Sequence, residues 1–101
     1  MTFIYDAVRT PRGKGKAEGA LAAMKPDGLV ASLVTSIEQR IDKALEPEAL
    51  VLGSVGQVGA QGGNIALVSK FRAGLPDSTA SFSVNNLCVS GLTAINQAAG
   101  M

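Results

Sequence analysis

The chain has 101 residues, enough for one small domain or part of one. Hydrophobic residues make up 47% of it and charged residues 17%, which excludes intrinsic disorder. Nine basic and eight acidic residues leave a formal net charge of +1, and aromatics are only 4%, so nothing points to a nucleic-acid groove or an acidic membrane surface.

Phe3 to Val8 is almost continuously apolar and reads as a strand covered on both faces. Pro11, Gly13, Gly15 and Gly19 then break regular structure, and Arg9 to Lys25 is expected as a long basic surface loop. Asp27, after Pro26, is a candidate N-cap. The apolar positions Leu29, Val30, Leu33, Val34, Ile37, Ile41 and Leu45 follow at spacings of three and four, which predicts an amphipathic helix stopped by Pro47. Leu50 to Val55 is a short β-type run interrupted by Gly53. Asn64 opens a second helix through Ala73, closed by Gly74 and Pro76. Ala80 to Val84 is a third strand, and a third helix runs from about Cys88 or Val89 to Ala99. The order β-α-β-α-β-α predicts an α/β fold with a parallel sheet and helices on its faces.

No apolar run approaches the roughly 18 residues of a membrane span. The N-terminus lacks the basic-then-apolar pattern of a secretory signal. Cys88 is the only cysteine, which excludes an intrachain disulfide and fits a reducing, cytoplasmic compartment. Gly56-Gln57-Val58-Gly59 matches no phosphate-cradling glycine pattern, so tight turning is the reading there. The run Arg9 to Lys16 could face the phosphates of coenzyme A, but a solvated surface is the preferred reading. No metal site is assigned.

Free cysteines often simply pack. Cys88, however, lies where a strand turns into a helix, and ligands of parallel sheets bind at the carboxyl ends of strands. A helix N-terminus there would favour the thiolate, the nucleophilic form.

Asn86-Leu87-Cys88-Val89-Ser90-Gly91-Leu92 resembles the nucleophile motif of the thiolases. Three further segments agree in order: Asp6-Ala7-Val8-Arg9-Thr10-Pro11 with Gly13-Lys14, Gly59-Ala60-Gln61-Gly62-Gly63-Asn64, and Ala73-Gly74-Leu75-Pro76. The resemblance covers essentially the whole chain. It implies an incomplete N-terminal thiolase domain over residues 1–101, from an acyl-CoA acyltransferase that cleaves a 3-ketoacyl-CoA with coenzyme A or runs the reverse Claisen condensation. Cys88 would then be the nucleophile that carries the acyl group as a thioester, with its backbone N–H as half of an oxyanion hole. The acid–base histidine and second cysteine would lie outside these residues, since the chain has no histidine and no other cysteine. Coenzyme A is expected as substrate, with no permanently bound cofactor. The run Arg12 to Lys16 resembles the fatty-acid-degrading, β-oxidation members. The resemblance also implies a homodimer or tetramer through Ala80 to Val84, a strand without charge or proline. Two other readings stand beside it. One is a ketoacyl-synthase-type condensing enzyme, whose nucleophile flanks Leu87 and Val89 do not match. The other is an inactive fragment or oligomerisation module.

Overall fold

The computed structural model describes all 101 residues and contains three helices and two strands in the order α1 (Pro26–Ile41), β1 (Ala49–Gly53), α2 (Ile65–Ala73), β2 (Ala80–Val84) and α3 (Ser90–Ala99), with a single 3₁₀ turn at Gly59–Gln61. β1 and β2 pair in parallel, Ala49 opposite Ala80 through Gly53 opposite Val84. The class is the expected α/β arrangement, with a parallel sheet and helices packed on it.

Lys25, not Asp27, is the N-cap of α1, and it makes no side-chain cap. Pro26 takes the first helical turn, where its missing N–H costs nothing, and Asp27 beside it places a negative charge at the positive end of the helix. The helix stops at Ile41, before the apolar pattern ends at Leu45. Glu38 is the reason. Its carbonyl accepts from the N–H groups of Asp42 and Lys43, and its carboxylate accepts from Leu45 N at 2.8 Å. Asp42 sits in the left-handed region at φ 56° and turns the chain out of the helix.

β1 leads through the glycine-rich connection and α2 back to β2, so α2 is the crossover of a parallel pair. Asn64 caps α2 by accepting from Leu67 N at 3.1 Å. The same side chain donates to Ser81 O at 3.1 Å and accepts from Ser83 Oγ at 3.1 Å. Ser83 Oγ also accepts from Ala66 N. The start of α2 is thereby fastened to β2. Gly74 ends α2 at φ 70°, its N–H shared by the Lys70 and Phe71 carbonyls, as its sequence position predicts.

The two sheet faces carry different cover. Ser83 and its register partner Leu52 face α2, and Gly53 faces the start of α3. α1 packs against α2. Val34, Ile65, Ala66, Leu75 and Ala94 form the buried apolar core. Thr79, also buried, donates to Pro47 O at 2.7 Å, and buried Lys70 donates from Nζ to Asp77 O at 2.7 Å.

The segment Phe3 to Val8 is not a strand. Its backbone joins no ladder, and Phe3, Ile4 and Tyr5 are exposed. It is tied only near its ends, by Thr2 Oγ1 donating to Ala99 O and by an Asp6–Arg40 ion pair at 3.1 Å. An apolar run becomes a strand only when a neighbouring edge accepts its peptide groups and other layers cover its faces. Here neither condition is met, so β-α-β-α-β-α becomes α-β-α-β-α. The Arg9 to Lys25 stretch is an exposed irregular loop, as expected. No helix is long and apolar enough to cross a membrane.

Candidate active site

Cys88 lies in the connection between Val84, the last residue of β2, and Ser90, the first of α3. Its thiol is free and exposed. Both strands end here at their carboxyl ends, the rim where parallel sheets place their ligand sites. The N-cap of α3 is Val89, so Cys88 stands one residue before the cap and two before the first helical residue.

The connection is a sharp elbow. Leu87 has φ 50°, in the left-handed region that a side chain with a branched Cγ seldom adopts. Such a conformation costs about 1–3 kcal/mol and persists only where surrounding bonds impose it. Those bonds are on every side of Cys88. Asn85 Oδ1 accepts from Leu87 N at 2.9 Å, and its Nδ2 donates to Val55 O at 3.3 Å, tying the elbow to the end of β1. Ser90 Oγ accepts from Asn86 N at 2.9 Å and donates to Leu87 O at 2.6 Å. Asn86 Nδ2 donates to Thr93 Oγ1 at 3.0 Å. Val89 N donates to Asn86 O and Ser90 N to Leu87 O.

Among the peptide N–H groups from Asn86 to Ser90, only that of Cys88 lacks a well-formed acceptor within the chain. The N–H groups of Gly91 and Leu92, in the first turn of α3, are also unpaired. An exposed thiol beside a free, rigidly held N–H is an arrangement that can attack a carbonyl and receive the charge that develops on its oxygen.

α3 reaches this position because its small face meets the sheet. Ser90 and Ala94, one turn apart, are buried, and Leu92 and Ile95 point outward. A Cβ on Gly53 would overlap the carbonyl carbon and oxygen of Ser90, so the helix start rests directly on β1. Neither Gly53 nor Ser90 stood out as a site residue in the sequence. A glycine inside a strand run does signal close backbone approach, and that signal was legible. The basic loop stays apart from Cys88's bonded surroundings. Lys16 pairs with Glu18 at 3.2 Å, and Lys14 and Lys16 line a shallow surface groove with Gln61.

Comparison with known proteins fits this geometry. A family model described as thiolase, N-terminal domain, matches residues 2–101. The chain belongs to the thiolase N-terminal domain family. Among curated relatives it is 37% identical over 98 residues to a beta-ketoadipyl-CoA thiolase of Pseudomonas knackmussii, covering 95% of this chain and 24% of that protein. It is 40% identical over 98 residues to a 3-ketoacyl-CoA thiolase of Colwellia psychrerythraea, covering 94% of this chain and 25% of that protein. A 3-oxoadipyl-CoA/3-oxo-5,6-dehydrosuberyl-CoA thiolase of Escherichia coli is 36% identical over 100 residues, covering 96% and 24%. The chain thus spans about a quarter of the length of the thiolases it matches.

Proposed function

We propose that this thiolase domain supplies the nucleophile of an acyl-CoA acyltransferase, and that Cys88 is that nucleophile. The observation that carries the reading is the strained elbow at Leu87, which presents an exposed Cys88 thiol next to its own unpaired N–H. The Cys88 thiolate adds to the 3-keto carbonyl of a 3-ketoacyl-CoA, with the developing oxyanion held by that N–H. The bond between C2 and C3 breaks, the acetyl-CoA enolate leaves and takes up a proton, and the shortened acyl group stays on Cys88 as a thioester. Coenzyme A thiolate then attacks this thioester and releases Cys88. Thioester exchange is close to isoenergetic, so a cysteine serves both as attacking and as leaving group. With no histidine and no second cysteine in the chain, the proton transfers fall to groups outside these 101 residues.

Coenzyme A enters as substrate in this scheme, with no cofactor held permanently. The relatives are named for both 3-ketoacyl-CoA and beta-ketoadipyl-CoA, and what those names share is the 3-ketoacyl thioester. A β-oxidation role is the narrower reading, supported by the resemblance of Arg12 to Lys16, and a cytoplasmic location is supported by the lone unpaired cysteine. Self-association through β2 is supported by its outer edge, which no other strand covers.

The test is acyl capture on the whole protein. Incubation with a 3-ketoacyl-CoA without free coenzyme A, followed by peptide mass spectrometry, should find the acyl group on Cys88. Cys88→Ser should abolish both the adduct and turnover. Turnover that survives Cys88→Ser would defeat the assignment.

A further inference from the structure

We propose that Ser90 is a positioning residue that aims the Cys88 N–H. The inference rests on the reading of Cys88 as nucleophile and goes beyond it by naming what orients its peptide.

Leu87 C=O and Cys88 N–H belong to one peptide group, and no peptide bond in the chain is cis. In a planar trans peptide the carbonyl and the N–H point in opposite directions. Whatever fixes the Leu87 carbonyl therefore fixes the Cys88 N–H. Two donors hold that carbonyl, both from Ser90: Oγ at 2.6 Å and the backbone N at 3.1 Å. The carbonyl is drawn toward α3, so the N–H of Cys88 is turned away from the helix, where it makes no well-formed hydrogen bond within the chain. The same hydroxyl accepts from Asn86 N, so one side chain clamps the elbow on both sides of Leu87 and compels its positive φ.

Ser90 can aim this peptide because it is itself immobile. It is only 3% exposed, and its backbone rests on Gly53, where no side chain intervenes. The line of support runs from β1 through Gly53 to Ser90, then to the Leu87 carbonyl and the Cys88 N–H. An alanine at position 90 would keep the helix and the backbone contact but lose the 2.6 Å bond to Leu87 and the acceptor for Asn86.

The test compares two reactions of Cys88 in the same chain. Alkylation by iodoacetamide displaces iodide and forms no oxyanion. Acylation by p-nitrophenyl acetate does form one: the thiolate adds to the carbonyl, the ester C–O bond breaks, p-nitrophenolate leaves, and Cys88 is left as an acetyl thioester. Ser90→Ala should slow acylation about tenfold or more, as expected when an oxyanion donor is misdirected, and leave alkylation within about twofold. Ser90→Thr, which keeps the hydroxyl, should restore acylation. A variant that merely loosened the fold would change both reactions together. Equal acylation by folded Ser90→Ala and the unsubstituted chain would overturn the proposal. Should Ser90→Ala not fold, amide exchange in the unsubstituted chain decides, because Asn86 must be protected and Cys88 must not. An Asn86 amide exchanging at the unstructured rate would also overturn it. If the unsubstituted chain shows that protection yet the native protein's Cys88 takes no acyl group, the nucleophile reading fails and the clamp stands.

Discussion

Gly53 and Ser90 meet backbone to backbone. A Cβ on Gly53 would overlap the Ser90 carbonyl and stand 2.6 Å from Gly91 N, which makes the end of β1 the seat of the helix that follows Cys88. In a strand, replacing glycine by alanine ordinarily gains roughly 0.5–1 kcal/mol, from the lower entropy of the unfolded chain. Here the methyl group strikes main-chain atoms that cannot rotate away, at a cost of about 1–3 kcal/mol or more. Gly53→Ala should therefore lower the urea midpoint, and a raised midpoint would show that α3 shifts freely on the sheet.

Asn64 joins α2 to β2 through one side chain. Its Oδ1 accepts from Leu67 N and Ser83 Oγ, and its Nδ2 donates to Ser81 O. Loss of an N-cap alone costs roughly 0.5–2 kcal/mol, and Asn64→Ala also strands a hydroxyl and a carbonyl that are part-buried, so the loss should reach about 2 kcal/mol. Asn64→Asp keeps the cap oxygen but loses the donor to Ser81 and should fall between alanine and the parent. Denaturant titration of the three chains gives the ranking.

Catalysis by these 101 residues alone should be absent. Exchange of an acyl group through Cys88 requires protons to move at both thioester steps, and the chain carries neither histidine nor a second thiol. Purified chain mixed with acetoacetyl-CoA and coenzyme A should release no acetyl-CoA above background. Steady release would mean that another group of the chain moves the protons.

Self-association should run through the outer edge of β2 and the outward apolar face of α3, where Leu92 and Ile95 are exposed. The position chosen to test it matters. Ser83 is a poor place for a charge, because its hydroxyl serves both Asn64 and Ala66 N. Ala80 is exposed at the start of the strand, and Ala80→Lys adds an edge charge without touching that network. Sedimentation equilibrium should show the parent heavier than a monomer and Ala80→Lys shifted toward one. A parent that stays monomeric at high concentration would exclude the interface.

The three helices, both strands and the turn that carries Cys88 were legible in the sequence. Each depends on neighbours along the chain: apolar spacing for α1, the Asn64 cap and Gly74 stop for α2, and an uninterrupted β-type run for Ala80 to Val84. The thiolase motif around Cys88 was legible for the same reason. Other features rest on contacts between residues far apart along the chain. Phe3 to Val8 has the composition of a strand, but pairing depends on an edge elsewhere in space, and none receives it. Glu38 ends α1 early by reaching Leu45, which apolar spacing does not register. Gly53 and Ser90 are 37 positions apart by their numbering, and only the packing of α3 on β1 makes the one a seat and the other a clamp. Local patterns are encoded in consecutive residues, but the direction in which a single peptide N–H points is set by contacts between distant ones.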